Sequence, residues 1–123
     1  MGFALERHDH YLEIVFDGVL VKQTILESLN QLLNHPEYYE KHSLWNMSAS
    51  RLGFSIGDAK EIIGVMHLFK PRQKHFANKS VLLVSGPMGL SMVRMFTEMA
   101  QDLPFEFSVF SDHSKARAHL GDN

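Results

Sequence analysis

The segment SVLLVSG at residues 80–86, followed by Pro87, decides the fold class of this chain. It is a continuous apolar run that ends in a glycine. It lacks the alternation of apolar and polar side chains expected of a strand with one solvent-exposed face. Such runs are typical of a central strand that is covered on both faces. Pro87 suits an early position in a helix, where its missing N–H is not needed. The segment therefore predicts a buried central strand that leads directly into a helix.

The N-terminal segments predict a hairpin. FALER at residues 3–7 and YLEIVFDG at residues 11–18 alternate apolar and polar side chains, as half-buried strands do. The HDH between them is short enough for a tight connection, so the two strands are expected to be antiparallel neighbours.

The rest of the chain alternates between helical and strand-like patterns. Apolar residues recur at helical spacing in residues 22–35 and 56–69, and Pro36 and Pro71 are expected to end these two helices. The remaining predicted elements are strands in SLWNMS (43–48) and FEFSVF (105–110), a helix after Pro87, and a last helix in SDHSKARAHL (111–120), capped by Ser111 and ended by Gly121.

This order of elements predicts one α/β domain spanning residues 1–123. Strands that alternate with helices of this length imply right-handed crossovers and parallel pairing, apart from the antiparallel first strand. We expect a mixed, mostly parallel sheet of about five strands, with four main helices.

Composition excludes several classes of function. The chain of 123 residues has no cysteine, which excludes disulfides, thiolate metal sites and cysteine nucleophiles. Its net charge of −2 gives no reason to expect a nucleic-acid partner. No apolar run approaches the ~20 residues of a membrane-spanning helix, and the N-terminus lacks a signal-peptide pattern. We therefore expect a cytoplasmic protein without integral membrane association.

Three segments resemble the SpoIIAA-like family, part of the wider STAS group related to anti-sigma-factor antagonists. They are EIVFDGVLVKQTI (13–25), LWNMSAS (44–50) and FSVFSDHSKARAHL (107–120). The resemblance covers nearly the whole chain. These segments mark positions in the fold and contain no catalytic signature, so the resemblance implies the architecture far more than an activity.

The resemblance does not extend to the phosphorylation switch of the classical antagonists, whose Asp-Ser-Ser-Gly motif opens the second helix. With Gly57 placed on the motif glycine, Phe54 replaces the aspartate, Ser55 matches the first serine, and Ile56 occupies the acceptor position. Ser55 and Asp58 fit a capping pattern, so we interpret Ser55 as a helix cap and not as a phosphosite. A switch moved to Ser48, Ser50 or Ser55 stays open as an alternative.

The eight histidines show no spacing typical of metal ligands, so the sequence predicts neither a metal site nor a cofactor. A small enzyme using His67 or His75 beside a carboxylate is a second alternative. SGPMG at residues 85–89 lies where a phosphate can meet backbone N–H groups, but it lacks the lysine of a P-loop. We interpret it as a tight turn at the entry to a helix.

The leading hypothesis rests on the apolar faces of the second and third helices. Met88, Met92, Met95 and Met99 form one stripe on the third helix, and methionine suits surfaces that adapt to varied partners. We predict a non-enzymatic binding module for a protein partner or a small apolar, lipid-like ligand, or a homodimer formed through the same surface. The predicted groove residues are Ile62, Met66, Phe69, Met92, Met95 and Met99.

Overall fold

A computed structural model describes residues 2–68, 78–103 and 106–121. The elements in chain order are β1 (Phe3–Arg7), β2 (Tyr11–Phe16), β3 (Gly18–Leu20), α1 (Lys22–Leu33), a 3-10 turn (Tyr38–Glu40), β4 (His42–Asn46), β5 (Ser50–Leu52), α2 (Ile56–Leu68), β6 (Lys79–Leu83), α3 (Pro87–Met99), β7 (Glu106–Phe110) and α4 (His113–His119). Phe69 and Pro71, at the predicted end of α2, lie outside the described residues.

The main sheet has five strands in the order β1-β2-β4-β6-β7. β1 is antiparallel to β2, and every other pairing is parallel, which confirms the predicted mixed sheet and its hairpin. The parallel strands β2, β4, β6 and β7 follow one another across the sheet in chain order. Right-handed crossovers between them therefore put α1, α2 and α3 on the same face. The sequence therefore predicted both the pairing and the helices correctly.

Helices cover both faces of the sheet, and each face has its own core. Leu12, Ile14 and Phe16 of β2 belong to the larger core, to which residues of α1, α2 and α3 contribute. Tyr11 belongs to the smaller core together with Ala116 and other residues on the side of α4. Because successive side chains of a strand point to opposite faces, β2 contributes to both cores and is almost completely buried.

A second, two-stranded sheet was not predicted. β3 and β5 pair in parallel, and the N–H of Gly53 donates to the carbonyl of Leu20 at 2.8 Å. A Cβ on Gly53 would lie only 2.6 Å from Cγ1 of Val19, so a larger residue would displace that neighbour. Strands of three residues are too short for an alternating pattern to identify them.

The last helix begins one residue later than predicted. Asp112, and not Ser111, is the cap of α4, because its carboxylate accepts hydrogen bonds from the N–H groups of Ser114 and Lys115 at 2.9 and 3.3 Å. A carboxylate also interacts favourably with the positive end of the helix dipole. Gly121 has a φ of 88° just after the helix, which confirms its predicted role at the C-terminal end.

Candidate ligand-binding groove

A groove of about 530 Å³ lies between β5, the end of β6 and the first turns of α3. Its volume falls within the range of about 300–1,000 Å³ that is usual for small-molecule sites. β5 and α3 are close at this point, since a Cβ on Gly89 would lie 3.7 Å from Cβ of Val84 and 4.0 Å from Cδ1 of Leu52. The shape of the groove thus follows from the way β5, β6 and α3 pack together.

One part of the groove is apolar. Its side chains are Met47, Leu52, Val84 and Met92. Met47 and Val84 are 6% and 2% exposed, and backbone hydrogen bonds fix both: Met47 N–H donates to Leu83 at 2.8 Å, and Val84 N–H donates to Phe110 at 3.0 Å. This part of the groove can hold a hydrocarbon chain.

The other part of the groove is polar and carries positive charge. Arg51 is exposed and forms no ion pair with any residue in the described ranges. Ser50 and Ser85 also line this part, but their hydroxyls already donate to the carbonyls of Met47 and Ser48 at 3.0 and 2.9 Å. Arg51 is therefore the group here that is best suited to pair with an anion.

The turn that enters α3 adds to this positive end. Gly86 adopts a φ of 78° immediately before the helix, and Pro87 takes its first position. Both residues line the groove, as does Gly89 in the first helical turn. N–H groups of a first turn lack helical partners and favour negative charge. The turn predicted from SGPMG is present, and it forms one wall of the groove.

An apolar cavity of about 50 Å³ lies deeper in the larger core. Its wall consists of side chains from the sheet, from α1, α2 and α3, and from the segments after β4 and β5. The lining residues are Phe16, Ile25, Leu29, Trp45, Met47, Phe54, Ile62, Met66, Leu82, Val93, Phe96 and Phe107. A cavity lined this way stays dry and favours apolar occupants.

Met47 lines both the groove and the cavity. It is the residue that the two spaces share, at the point where β4 has ended. Because a methionine side chain is unbranched and flexible, it can change rotamer at low cost. The flexible side chain of Met47 therefore lies at the boundary of both spaces.

Three of the six predicted groove residues line one or the other of these two spaces. Ile62 and Met66 line the cavity, and Met92 lines the groove. Met95 and Met99 are half-buried on α3 and line neither space. The residues of α3 that face the cavity are Val93 and Phe96. Phe69 lies outside the described residues.

Ser55 has the contacts of a helix cap. Its hydroxyl accepts a hydrogen bond from the N–H of Asp58 at 3.1 Å, and the carboxylate of Asp58 accepts one from the N–H of Ser55 at 3.0 Å. This reciprocal pair is a capping box. Ile56, at the position of the family's phosphate acceptor, is 51% exposed.

His67, one of the two histidines of the enzyme alternative, does not line the groove. Nε2 of His67 lies 3.4 Å from a carboxylate oxygen of Asp102; the His67 side chain is half-buried and that of Asp102 is exposed. His75 lies outside the described residues. A histidine that contacts a buried carboxylate does exist on the other face of the sheet, at His8 and Glu13.

Sequence reasoning missed Met47 and Arg51 as residues of the site. Both lie in NMSASRL, which was interpreted as the end of a strand and a connection, with Ser48 and Ser50 as alternative phosphosites. The signal that would have found them is topological. Loops at the carboxyl ends of parallel strands meet at one edge of a sheet, and the connections after β4 and β6 are such loops.

The element order, strand pairing and two helical layers define a SpoIIAA-like α/β fold. Comparison of the sequence with protein-family models and with curated proteins gives no match. Among solved structures, the chain is similar to an uncharacterised protein of the DUF3478 family with a SpoIIAA-like fold, from Shewanella loihica PV-4. The identity is 18%, the TM-score is 0.59, and the match covers 96% of this chain and 91% of the other. None of the described helices is long and apolar enough to cross a bilayer.

Proposed function

We propose that this protein is a non-enzymatic cytoplasmic module that binds a lipid-like molecule with an anionic head and a hydrocarbon tail. The observation that carries the proposal is the groove, which has Arg51 at one part and the apolar side chains of Leu52, Val84 and Met92 at the other. An amphipathic ligand matches this division of chemistry, whereas a purely apolar one would leave Arg51 without a partner.

The size of the two spaces supports a ligand with a tail. The groove alone holds a small molecule, and the cavity beyond Met47 adds about 50 Å³ of apolar space. That volume takes the last few carbons of a chain and nothing bulkier, since one water occupies about 30 Å³ of liquid. In this arrangement the head pairs with Arg51, and the tail runs past Met47 towards Ile62 and Met66.

The position of Ile56 supports a module that binds without a phosphorylation switch. Isoleucine has no hydroxyl to accept phosphate, and the neighbouring Ser55 already accepts a hydrogen bond from Asp58. Binding that depends on ligand concentration alone needs no covalent switch. Phosphoprotein mass spectrometry that found phosphate on Ser48, Ser50 or Ser55 in native cells would contradict this part of the proposal.

The test is a titration with a fluorescent medium-chain fatty acid, followed by displacement with decanoate. Arg51→Gln is expected to weaken binding at least tenfold, because a charge-assisted hydrogen bond contributes roughly 1.5–3 kcal/mol and each 1.4 kcal/mol is about a factor of ten. Met92→Glu is expected to weaken it further by placing a carboxylate in the apolar part. Arg94→Gln is the matched control, since Arg94 is also an exposed arginine of this region but does not line the groove.

The same preparation tests whether the protein forms an interface with a partner or a second copy through the surface at Met95 and Met99 of α3. Met95→Glu and Met99→Glu change the face predicted to bind a partner or a second copy without touching the groove. If these variants alter the mass in solution while fatty-acid binding is kept, the surface forms an interface. If Arg51→Gln binds the fatty acid as tightly as the parent protein and the Arg94→Gln control do, the proposed ligand site is wrong.

A further inference from the structure

The face of the sheet opposite the groove carries a polar cluster that the proposed function does not use. Glu13 lies in the middle of β2, with its side chain only 7% exposed. Its Oε1 is 2.9 Å from Nε2 of His8, and its Oε2 accepts a hydrogen bond from the side-chain amide of Asn46 at 2.9 Å. A carboxylate this deeply buried is costly unless a positive group or several donors compensate it.

A second carboxylate faces the same point. Glu6 of β1 is the direct cross-strand partner of Glu13 in the antiparallel pair. One ligand atom from each of Glu6, His8 and Glu13 lies within 4.8 Å of the others. Like charges directly opposite one another destabilise a sheet. Within the described ranges, no lysine or arginine forms an ion pair with either carboxylate.

We propose that Glu6, His8 and Glu13 bind a divalent first-row transition-metal ion such as Zn²⁺. Two carboxylate oxygens and one imidazole nitrogen are donors that such ions accept, with bonds of about 2.0–2.2 Å. Donor atoms around a tetrahedral ion of that size are about 3.4 Å apart, so the observed spacing needs only small side-chain adjustments. Three protein ligands leave a position open for water.

Neighbouring residues hold the half-buried His8 and the buried Glu13 in place. The His8 ring stacks on the buried ring of Tyr11, with centroids 4.4 Å apart and planes 19° apart. The side-chain amide of Asn46 donates to Oε2 of Glu13, and Oε1 of the same carboxylate faces His8. Partners of this kind orient metal ligands and raise affinity. Nε2 of His113 is 3.9 Å from Oε2 of Glu13, the oxygen that accepts from Asn46, and His113 is not one of the three ligands.

The site escaped the sequence analysis because its members do not share a local spacing. His8 and Glu6 are two residues apart on one strand, but Glu13 comes from the next strand through the hairpin register. Placing the strands in register, with Glu6 opposite Glu13, is the step that brings the three side chains together.

The experiment is Zn²⁺ binding to the untagged full chain after treatment with a chelator, measured by competition with a chromophoric chelator. One ion per chain is expected. His8→Asn and Glu13→Gln should each raise the apparent dissociation constant at least tenfold, because loss of a supporting residue alone typically costs 10–100-fold. His10→Asn is the matched control, since His10 is an exposed histidine of the same turn outside the cluster.

Co²⁺ provides a readout of the ligands themselves. Its visible absorption is expected to appear on binding to the parent protein and to His10→Asn, and to be lost in His8→Asn. Equal Zn²⁺ affinity of the parent protein and the His8 and Glu13 variants would overturn the proposal. So would an equal loss in the His10 variant, because binding would then reflect surface histidines in general. If Glu13→Gln does not fold, the His8 and His10 variants decide the question.

Discussion

Filling the apolar cavity by one methylene group is expected to stabilise the protein. Val93 of α3 is 3% exposed and lines the cavity of about 50 Å³, so Val93→Ile directs the new carbon into empty space. Burial of a methylene contributes about 0.8 kcal/mol. Eliminating the whole cavity at ~24 cal/mol per Å³ would contribute about 1.2 kcal/mol, which sets the upper limit. Valine and isoleucine have similar helix propensities, so the backbone contributes little.

The assay is urea unfolding with thermal unfolding beside it. A gain of about 0.8 kcal/mol corresponds to a rise in Tm of roughly 3 °C for a domain of this size. Val65→Ile is the matched control, because Val65 is half-buried on α2 and does not line the cavity. Its effect is expected to stay within about 0.5 kcal/mol. A loss of more than about 1 kcal/mol in Val93→Ile would mean overpacking and refute the cavity.

Three further predictions concern single contacts. Ser55→Ala should lower the free energy of unfolding by about 1 kcal/mol, and Ser55→Thr by less, because threonine keeps the acceptor for the Asp58 N–H; equal losses in urea unfolding would contradict the cap. Burial, with a smaller effect of Lys79, lowers the pKa of His42, whose Nδ1 accepts the N–H of Lys79 at 2.9 Å. Its contribution to stability is therefore complete above the unfolded pKa of about 6.5 and declines as the pH falls towards the folded value; an NMR titration that gave His42 a pKa at or above 6.5 would refute this. Hydrogen bonds from Arg7 and then Lys41 lower the pKa of Glu37 to about 2. The stability that this group contributes is present above about pH 4.5 and is lost towards pH 2, so in Glu37→Gln the free energy of unfolding should fall less steeply between these pH values. An unchanged pH dependence in this range would count against the two hydrogen bonds.

Much of the fold could be predicted because its signals are local. The apolar run at 81–84 has no polar face, and its residues 81–83 lie in β6, between two parallel strands. The helix starting at Lys22 follows its apolar period closely. β3 and β5 could not be predicted, because three residues carry no period and their pairing joins segments about 30 residues apart in the chain.

The methionine stripe shows why the candidate site was harder to predict than the fold. Helical spacing predicted one stripe of Met92, Met95 and Met99 on α3, but these three residues are half-buried, and the buried positions are Val93 and Ala100, the C-cap of the helix. Periodicity gives the direction of a face, while the position of the sheet decides which of its residues are covered. Arg51 and Met47 enter the site through the packing of β5 against α3, which no local pattern encodes.

The cluster at Glu13 was hidden for a related reason. A charged residue in an alternating strand is usually read as facing water, yet Glu13 is 6% exposed because the residues packed around β2 cover both of its faces. Its partners Asn46 and His8 are 33 residues and 5 residues away in the chain. Only the strand order and register bring them together.

Two-dimensional ¹H–¹⁵N NMR with added decanoate tests the lipid-binding claim most directly. Saturable shifts are predicted to be largest at Arg51, Leu52, Gly86 and Gly89, which line the groove, with smaller shifts near Ile62 as the tail reaches the cavity. Amides of β1 on the far edge of the sheet should not move. Shifts that do not saturate, or that are largest outside the groove and cavity, would contradict the proposed function.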